Sequence, residues 1–232
     1  MPVSVDKAVI ARYEKFGKKF EILVDPEKAI SAKSGKSVAV EEIVAVNEIY
    51  EDAKKGMRAS KEDLHRVFGT DNFVDIAKII ISRGDVQITA EQKRKMLEEK
   101  KRQVATLISK HGINPQTNTP HPIERILNAM ERARVTIDLY KSAEEQVNEV
   151  LPAIQRVLPI RLEKITLKIK IPPAHSAKCY GVIRKLGTVK REEWLGDGSL
   201  YVLIEIPAGM QPEVYERLSA LTRGDVSIEQ VQ

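Results

Sequence analysis

Along residues 3–24, apolar side chains fall at Val9, Ile10, Phe20, Ile22 and Val24 on either side of Phe16-Gly17-Lys18-Lys19, which predicts a β-hairpin with a basic turn. Asp25-Pro26 has the form of an N-cap followed by a first-turn proline, so a short helix through Ile30 is expected. A further strand is expected over residues 44–50. Ser60 caps a predicted helix carrying Leu64 and Val67, and Asp71 opens another with Ile76, Ile79 and Ile80 facing inward. Thr89-Ala90-Glu91-Gln92 is a capping box, and no glycine or proline follows until after Lys110, so a long helix begins there. At 100° per residue its Met96, Leu97, Val104, Leu107 and Ile108 share one face, with Lys95 and Arg102 nearly opposite. Lys93 and Lys100 project near that stripe. Either the early turns overhang the bundle or these lysines lay their stems across it.

The proline-rich loop over residues 114–122 leads into a second helix with Ile123, Ile126, Leu127, Met130 and Ile137 inward and Arg125 and Arg132 outward. Ser142 caps a third, carrying Val147, Val150 and Ile154 and ending before Pro159. From Arg161 the period becomes two, with Ile165, Leu167, Ile169 and Ile171 alternating against Thr166, Lys168 and Lys170. Pro172-Pro173 then starts a helix with Cys179, Val182, Ile183 and Leu186. A hairpin turning at Gly196-Asp197-Gly198 comes next, then a helix with Val214, Leu218 and Leu221, then a strand with Val226 and Ile228. The chain therefore reads as an α+β multidomain protein. A mixed α/β N-terminal domain is expected at 1–86, a three-helix bundle at 87–160 and a C-terminal ferredoxin-like βαββαβ domain at 161–232. The junctions near residues 85–89 and 158–162 join units with separate apolar periodicities, so the third domain is expected to swing relative to the first.

Composition narrows the class. Of 232 residues, 42% are hydrophobic and 31% charged, which excludes a disordered chain. Runs such as Ile79-Ile80-Ile81 and Tyr201-Val202-Leu203-Ile204 fall far short of the roughly 20 apolar residues a bilayer requires, so no membrane span is expected. The first residues do not resemble a secretory signal, and the single cysteine, Cys179, cannot form an internal disulfide. Both point to a cytoplasmic protein. The net charge of +5 and pI near 9.1 are a mild bias towards polyanions. Residues 1–86 hold 15 basic and 15 acidic side chains, 87–160 hold 12 and 9, and 161–232 hold 11 and 9, so the excess lies in the last two segments.

Catalytic chemistry is hard to assemble from this sequence. Ser34-Gly35-Lys36-Ser37 invites a phosphate-loop reading, but Ile30 stands where that motif needs glycine. His65, His111, His121 and His175 lack the spacing of a metal site and are expected at the surface or at helix ends. There is no Gly-x-Ser-x-Gly elbow, Cys179 lies on an inward helix face, and Glu98-Glu99 and Glu192-Glu193 are adjacent and diverge. No cofactor or metal is expected. The strand Tyr201–Ile206 lacks the aromatic array of RNA-recognition domains, and Tyr201 and Trp194 are expected in core or interface packing.

What remains is basic. Arg12, Lys15, Lys18 and Lys19 cluster on the first hairpin, Lys33 and Lys36 follow the first helix, and Lys54, Lys55, Arg58 and Lys61 form another group. Lys93-Arg94-Lys95 and Lys100-Lys101-Arg102 lie on the long helix, with Arg125 and Arg132 on the next. Together these are the candidate RNA contacts, suited to a large phosphate-covered partner such as folded ribosomal RNA. Aromatic residues, at 5%, argue against single-strand binding by base stacking.

Four ordered segments resemble the SBDS, or ribosome maturation, family: Phe16-Gly17-Lys18-Lys19-Phe20-Glu21-Ile22, Lys55-Gly56-Met57-Arg58-Ala59-Ser60-Lys61-Glu62-Asp63-Leu64, Phe68-Gly69-Thr70-Asp71 and Gly84-Asp85-Val86-Gln87-Ile88. The likeness continues through Asn114-Pro115-Gln116-Thr117 and Pro120-His121-Pro122-Ile123-Glu124-Arg125, covers essentially the whole chain and is looser in the last domain. The resemblance implies a monomeric, non-enzymatic ribosome-assembly factor that binds large-subunit rRNA and helps an elongation-factor-like GTPase release anti-association initiation factor six. The short stretch after the last strand resembles archaeal members. Two competing readings are a helix-turn-helix-like DNA-binding protein, and a nuclease or RNA-modifying enzyme. Against the first, the second bundle helix mixes Glu124 and Glu131 with its arginines. Against the second, there are no clustered carboxylates and no cofactor loop.

Overall fold

A computed structural model describes residues 4–231. They form two compact units. One is built from residues up to Lys100 together with Ile137–Gln146, the other from Lys101–Thr136 together with residues from Val147 onward.

In the first unit, β1 (Val9–Lys15) and β2 (Lys18–Val24) pair from Val9↔Val24 to Lys15↔Lys18, so only Phe16 and Gly17 make the turn. Both have positive φ, 51° and 74°, as a two-residue turn matching the strands' right-handed twist requires. Lys18 and Lys19 are therefore strand residues, a correction to the four-residue turn expected. The strand begins at Val9 after a single 3-10 turn, Val5–Lys7, and the expected start at residue 3 lies outside the described residues. Asp25 caps α1 (Pro26–Lys33), accepting from Glu27 N at 2.9 Å and Lys28 N at 3.0 Å, and the helix runs three residues beyond Ile30.

The strand expected over 44–50 is displaced. Val40, Ile43 and Val44 are spaced i, i+3, i+4 and all are buried, so the segment makes the short helix α2 (Val40–Ile43), and Val44 adds one bridge to Val24. Pairing resumes at β3 (Tyr50–Asp52) and β4 (Met57–Arg58).

Ser60 caps α3 (Lys61–Phe68), accepting from Asp63 N at 3.2 Å. The next helix, α4 (Phe73–Arg83), is capped by Asn72 rather than Asp71, with Ile76 and Ile80 fully buried and Ile79 only half-buried. Gly84 follows it. A Cβ there would collide with the backbone carbonyls of Ile80 and Arg12, so glycine lets β5 (Asp85–Val86) close against β1. The sheet order is β4-β3-β2-β1-β5, over a core that includes Phe20, Ile22, Ile43, Ile76 and Ile80. Each such side chain contributes roughly 1.5–3 kcal/mol by leaving water.

The capping box of α5 (Ala90–His111) forms as expected, Gln92 N donating to Thr89 Oγ1 at 3.1 Å and Thr89 N to Gln92 Oε1 at 2.9 Å. Its buried residues, Val104, Ala105 and Ile108, all lie in the second half, so the first turns bury nothing fully. The segment Ile137–Gln146 is organised by Gln146, only 1% exposed, whose amide accepts from Asp138 N at 2.8 Å and donates to Asp138 O at 2.9 Å.

In the second unit, β6 (Gly112–Ile113) precedes α6 (Ile123–Arg132); α7 (Ala143–Gln155) starts at a Ser142–Glu145 capping box in the first unit's Ile137–Gln146 segment and belongs to the second from Val147 onward. Ile137 does not belong to α6, contrary to expectation. Arg134 takes a left-handed conformation, φ 52°, and Val135 N donates to Met130 O at 2.9 Å, which closes the helix without a glycine. His121 stands at a helix end, just before the Pro122 N-cap of α6, but not at the surface, since it is 3% exposed and its Nε2 lies 2.9 Å from Pro159 O. β7 (Arg161–Leu162) pairs with β6.

The C-terminal part runs β8 (Lys164–Ile171), α8 (Pro173–Leu186), β9 (Thr188–Trp194), β10 (Leu200–Pro207), α9 (Gln211–Thr222) and β11 (Ser227–Val231). Its antiparallel sheet has the order β11-β8-β10-β9. Leu167, Ile169, Val202, Ile204, Cys179, Ile183, Val214 and Leu218 form its core. Val226 sits just outside the last strand. Trp194 and Tyr201 are not core residues. Trp194 is half exposed beside Tyr180, at 5.9 Å between ring centroids, and Tyr201 is only partly buried, with Lys168 Nζ 6.0 Å from its ring.

Candidate nucleic-acid interface

The basic residues divide by what they already hold. Arg12 stands opposite Glu21 in the hairpin register, and its Nε and one terminal nitrogen each donate to Glu21 Oε1 at 2.8 Å. Glu21 is buried, and its other oxygen accepts from Ala53 N at 2.8 Å. With the Gln87 amide oxygen turned towards it, Arg12 donates there too, at 3.1 and 3.2 Å. Arg12 thus neutralises a buried carboxylate that ties β2 to the turn after β3.

The other hairpin cations lie further out. Lys15 Nζ sits 5.1 Å from the ring centroid of Phe16, Lys18 pairs with Asp63 at 3.2 Å, and Lys19 approaches Glu14 at 3.9 Å with both side chains more than half exposed. Asp63 is held below the ordinary aspartate range, first by the Ser60 hydroxyl and then by Lys18. On the neighbouring hairpin, Lys55 pairs with Asp52 at 3.5 Å and Arg58 with Glu48 at 3.2 Å. Asp52 is likewise held low, chiefly by the backbone N–H of Lys55. Lys54 and Lys61 are exposed and make no ion pair among the described residues.

Register places the two hairpin turns together. β2 runs away from Phe16-Gly17, while β3 pairs antiparallel to it through Glu21↔Tyr50 and runs back, and Asp52↔Met57 opens β4. The 53–56 turn therefore lies at the same end of the sheet as Phe16-Gly17. That end carries Lys15, Lys18, Lys19, Lys54, Lys55 and Arg58 around two exposed apolar side chains, Phe16 at 75% and Met57 at 51% exposure. Composition alone did not single out these two. Their signal was a bulky apolar residue next to the glycine of each turn, Phe16 before Gly17 and Met57 after Gly56.

Lys33 donates to Gly84 O and lies 5.0 Å from the Tyr140 ring, so it is engaged, whereas Lys36 is exposed. The Ser34-Gly35-Lys36-Ser37 stretch follows the C-terminal end of α1, where carbonyls rather than N–H groups face outward, the wrong polarity for cradling phosphate. On α5, Lys93, Arg94 and Lys95 are exposed and make no ion pair among the described residues. Lys100 donates to Lys141 O at 3.0 Å, and burial, with Lys36 as the second cause, pushes its ammonium below the ordinary lysine range. Lys101 pairs with Glu131 at 2.9 Å and Arg102 with Glu124 at 3.3 Å, so these two tie α5 to α6. Arg125 and Arg132 remain exposed without an ion pair among the described residues.

Among the described residues no group of three or more His, Cys, Asp or Glu could hold a metal ion, and no helix is long and apolar enough to cross a membrane. Cys179 is buried, and desolvation pushes its thiol up, away from the reactive thiolate.

The described residues thus combine a five-stranded antiparallel N-terminal sheet with helices, a helical middle and a C-terminal four-stranded antiparallel sheet with helices, and they carry exposed cations on the surface. Residues 7–94 match the Shwachman-Bodian-Diamond syndrome (SBDS) N-terminal domain, 102–163 match SBDS protein domain II, and 165–232 match the SBDS C-terminal domain, so the chain belongs to the SBDS family. It is 45% identical over 225 residues to the ribosome maturation protein SDO1 homolog of Methanothermobacter thermautotrophicus, covering 97% of each chain. It is 42% identical over 221 residues to the corresponding protein of Aeropyrum pernix, covering 95% of each. With the human ribosome maturation protein SBDS the identity is 27% over 227 residues, covering 98% of this chain and 90% of that one. Ribosome maturation factors of this family are non-enzymatic.

Proposed function

We propose that this protein is a cytoplasmic, monomeric ribosome-assembly factor that binds large-subunit rRNA and helps an elongation-factor-like GTPase release anti-association initiation factor six. The observation that carries the reading is the full-length likeness to relatives named ribosome maturation proteins. Supporting it are exposed cations with no acidic partner among the described residues: Lys36, Lys54, Lys61, Lys93, Arg94 and Lys95. Such side chains exchange solvent and counterions for phosphate without first breaking an internal pair. The pairing of Glu124 and Glu131 with Arg102 and Lys101 weighs against using α6 to read bases in DNA.

The architecture is read as three domains, 1–86, 87–160 and 161–232. The middle one is a three-helix bundle and the last is ferredoxin-like, a reading supported by the element order from β8 to β11. GTP hydrolysis belongs to the partner in this scheme, and the chain needs no cofactor. Co-sedimentation with isolated large and small ribosomal subunits tests the function. Selective retention on large subunits is the expected result, and equal retention on both would contradict it.

A further inference from the structure

We propose that Phe16 is a base-stacking wedge, inserted against an unpaired RNA base while the lysines around it hold the flanking phosphates. The inference rests on the RNA-binding reading above and deepens it, because it names an unstacked base rather than a uniform duplex as the feature recognised.

Two observations single out the side chain. Phe16 is 75% exposed, so the fold gains little from burying its ring. It occupies the first position of a two-residue hairpin turn at φ 51°, where Asn, Asp or Gly fits and a bulky side chain is disfavoured. Neither packing nor turn chemistry therefore accounts for an aromatic residue there, and backbone strain kept at an exposed tip points to use of the side chain.

Charge selects the occupant. Lys15 lies 5.1 Å from the Phe16 ring centroid and Lys54 occupies the adjacent turn at the same end of the sheet, neither in an ion pair among the described residues, whereas Lys18, Lys19 and Lys55 already face Asp63, Glu14 and Asp52. An aromatic face set among ammonium groups fits a base flanked by phosphates, since every base offers a π-face and every neighbouring linkage a negative charge. Met57, half exposed where β4 leaves the second turn, offers a second apolar side chain at the same end of the sheet. The low aromatic content of the chain weighs against an extended stacking platform but not against one wedge at one tip.

The test uses the full chain, an RNA hairpin with a single-nucleotide 2-aminopurine bulge, and the fully paired hairpin of equal length. Stacking predicts that wild type quenches the 2-aminopurine and prefers the bulged RNA. Phe16→Leu and Phe16→Asn should each lower affinity for it by about tenfold, and Phe16→Trp should preserve it. The salt dependence should not change in any of them, because no charge is lost. Phe16→Asn suits the turn better than phenylalanine, so its melting temperature should not fall and misfolding cannot explain a loss. Bulged-RNA affinity unchanged in Phe16→Leu and Phe16→Asn would overturn the wedge and leave RNA binding standing. Failure of wild type to bind either RNA would overturn both. Binding to anionic phospholipid vesicles that Phe16→Leu retains, with no discrimination between the RNAs, would assign the tip to a lipid surface instead.

Discussion

Two runs of three cations lie on one helix, and the structure engages them differently. Lys93-Arg94-Lys95 and Lys100-Lys101-Arg102 look alike in sequence, each flanking Glu98-Glu99 in α5. In the structure the first run is exposed without ion pairs among the described residues, whereas every member of the second is engaged, by the Lys141 carbonyl, Glu131 and Glu124. What separates them is the neighbouring element. Glu124 and Glu131, seven residues apart on α6, stand where Arg102 and Lys101 reach them, and among the described residues Lys93, Arg94 and Lys95 meet no such acid. A basic run in the sequence thus does not reveal which of its cations are already held by internal partners, and under the proposed function it is the unheld ones that are expected to meet RNA.

The same division exists within the first hairpin, and breaking it there should give the largest stability effect. Arg12→Ala leaves the buried Glu21 carboxylate without its cation, a loss that reaches 3–5 kcal/mol for fully buried pairs. Because the Arg12 side chain is 33% exposed, roughly 2–3 kcal/mol is expected, seen as a lower urea midpoint. Reversing Lys93, Arg94 and Lys95 to Glu should do the opposite. Melting should hardly move, while affinity for large subunits falls by about 100-fold near physiological salt.

Replacing Lys101 and Arg102 with Gln should lower stability by about 1 kcal/mol and weaken subunit binding much less than reversal of the first run. A result in which both runs act alike would erase the distinction. The smallest effect concerns acid. Asp63 has its folded-state pKa lowered below 3.8, so its contribution is present above that value and lost as pH falls through the lower folded one. Lys18→Ala should move the Asp63 carboxyl resonance titration back towards 3.8 without abolishing the shift, because the Ser60 hydroxyl, its larger cause, remains.

Much of this arrangement was legible before the structure. Thr89 with Gln92 and Ser142 with Glu145 announced two helix starts, and the strict alternation from Ile165 to Ile171 announced the central strand of the last sheet. Those signals are local, and the contacts that satisfy them come from within a few residues. The errors were places where a distant or unmarked partner decides. Val40, Ile43 and Val44 carry helix spacing over a single turn with no capping side chain to mark it, and α6 stops at Arg132 through a left-handed Arg134 that no glycine flagged. His121 is buried because the Pro159 carbonyl, 38 residues away, meets its ring nitrogen.

The candidate site was legible as composition but not as geometry. The basic clusters were visible, yet nothing local distinguished Arg12, locked on Glu21, from Lys19, nor Arg102 from Arg94. Phe16 was visible only as a turn residue, because exposure and backbone conformation, not residue type, single it out.

The central claim is that unclaimed cations, rather than basic residues in general, bind ribosomal RNA. The direct test measures the equilibrium constant for large subunits against salt, for wild type, for the Lys93/Arg94/Lys95 reversal and for the Lys101/Arg102 glutamine variant. The account predicts a linear fall of log K with log salt, a slope shallower by about 2–3 in the first variant, and an almost unchanged slope in the second. Equal slopes in wild type and the first variant would contradict it.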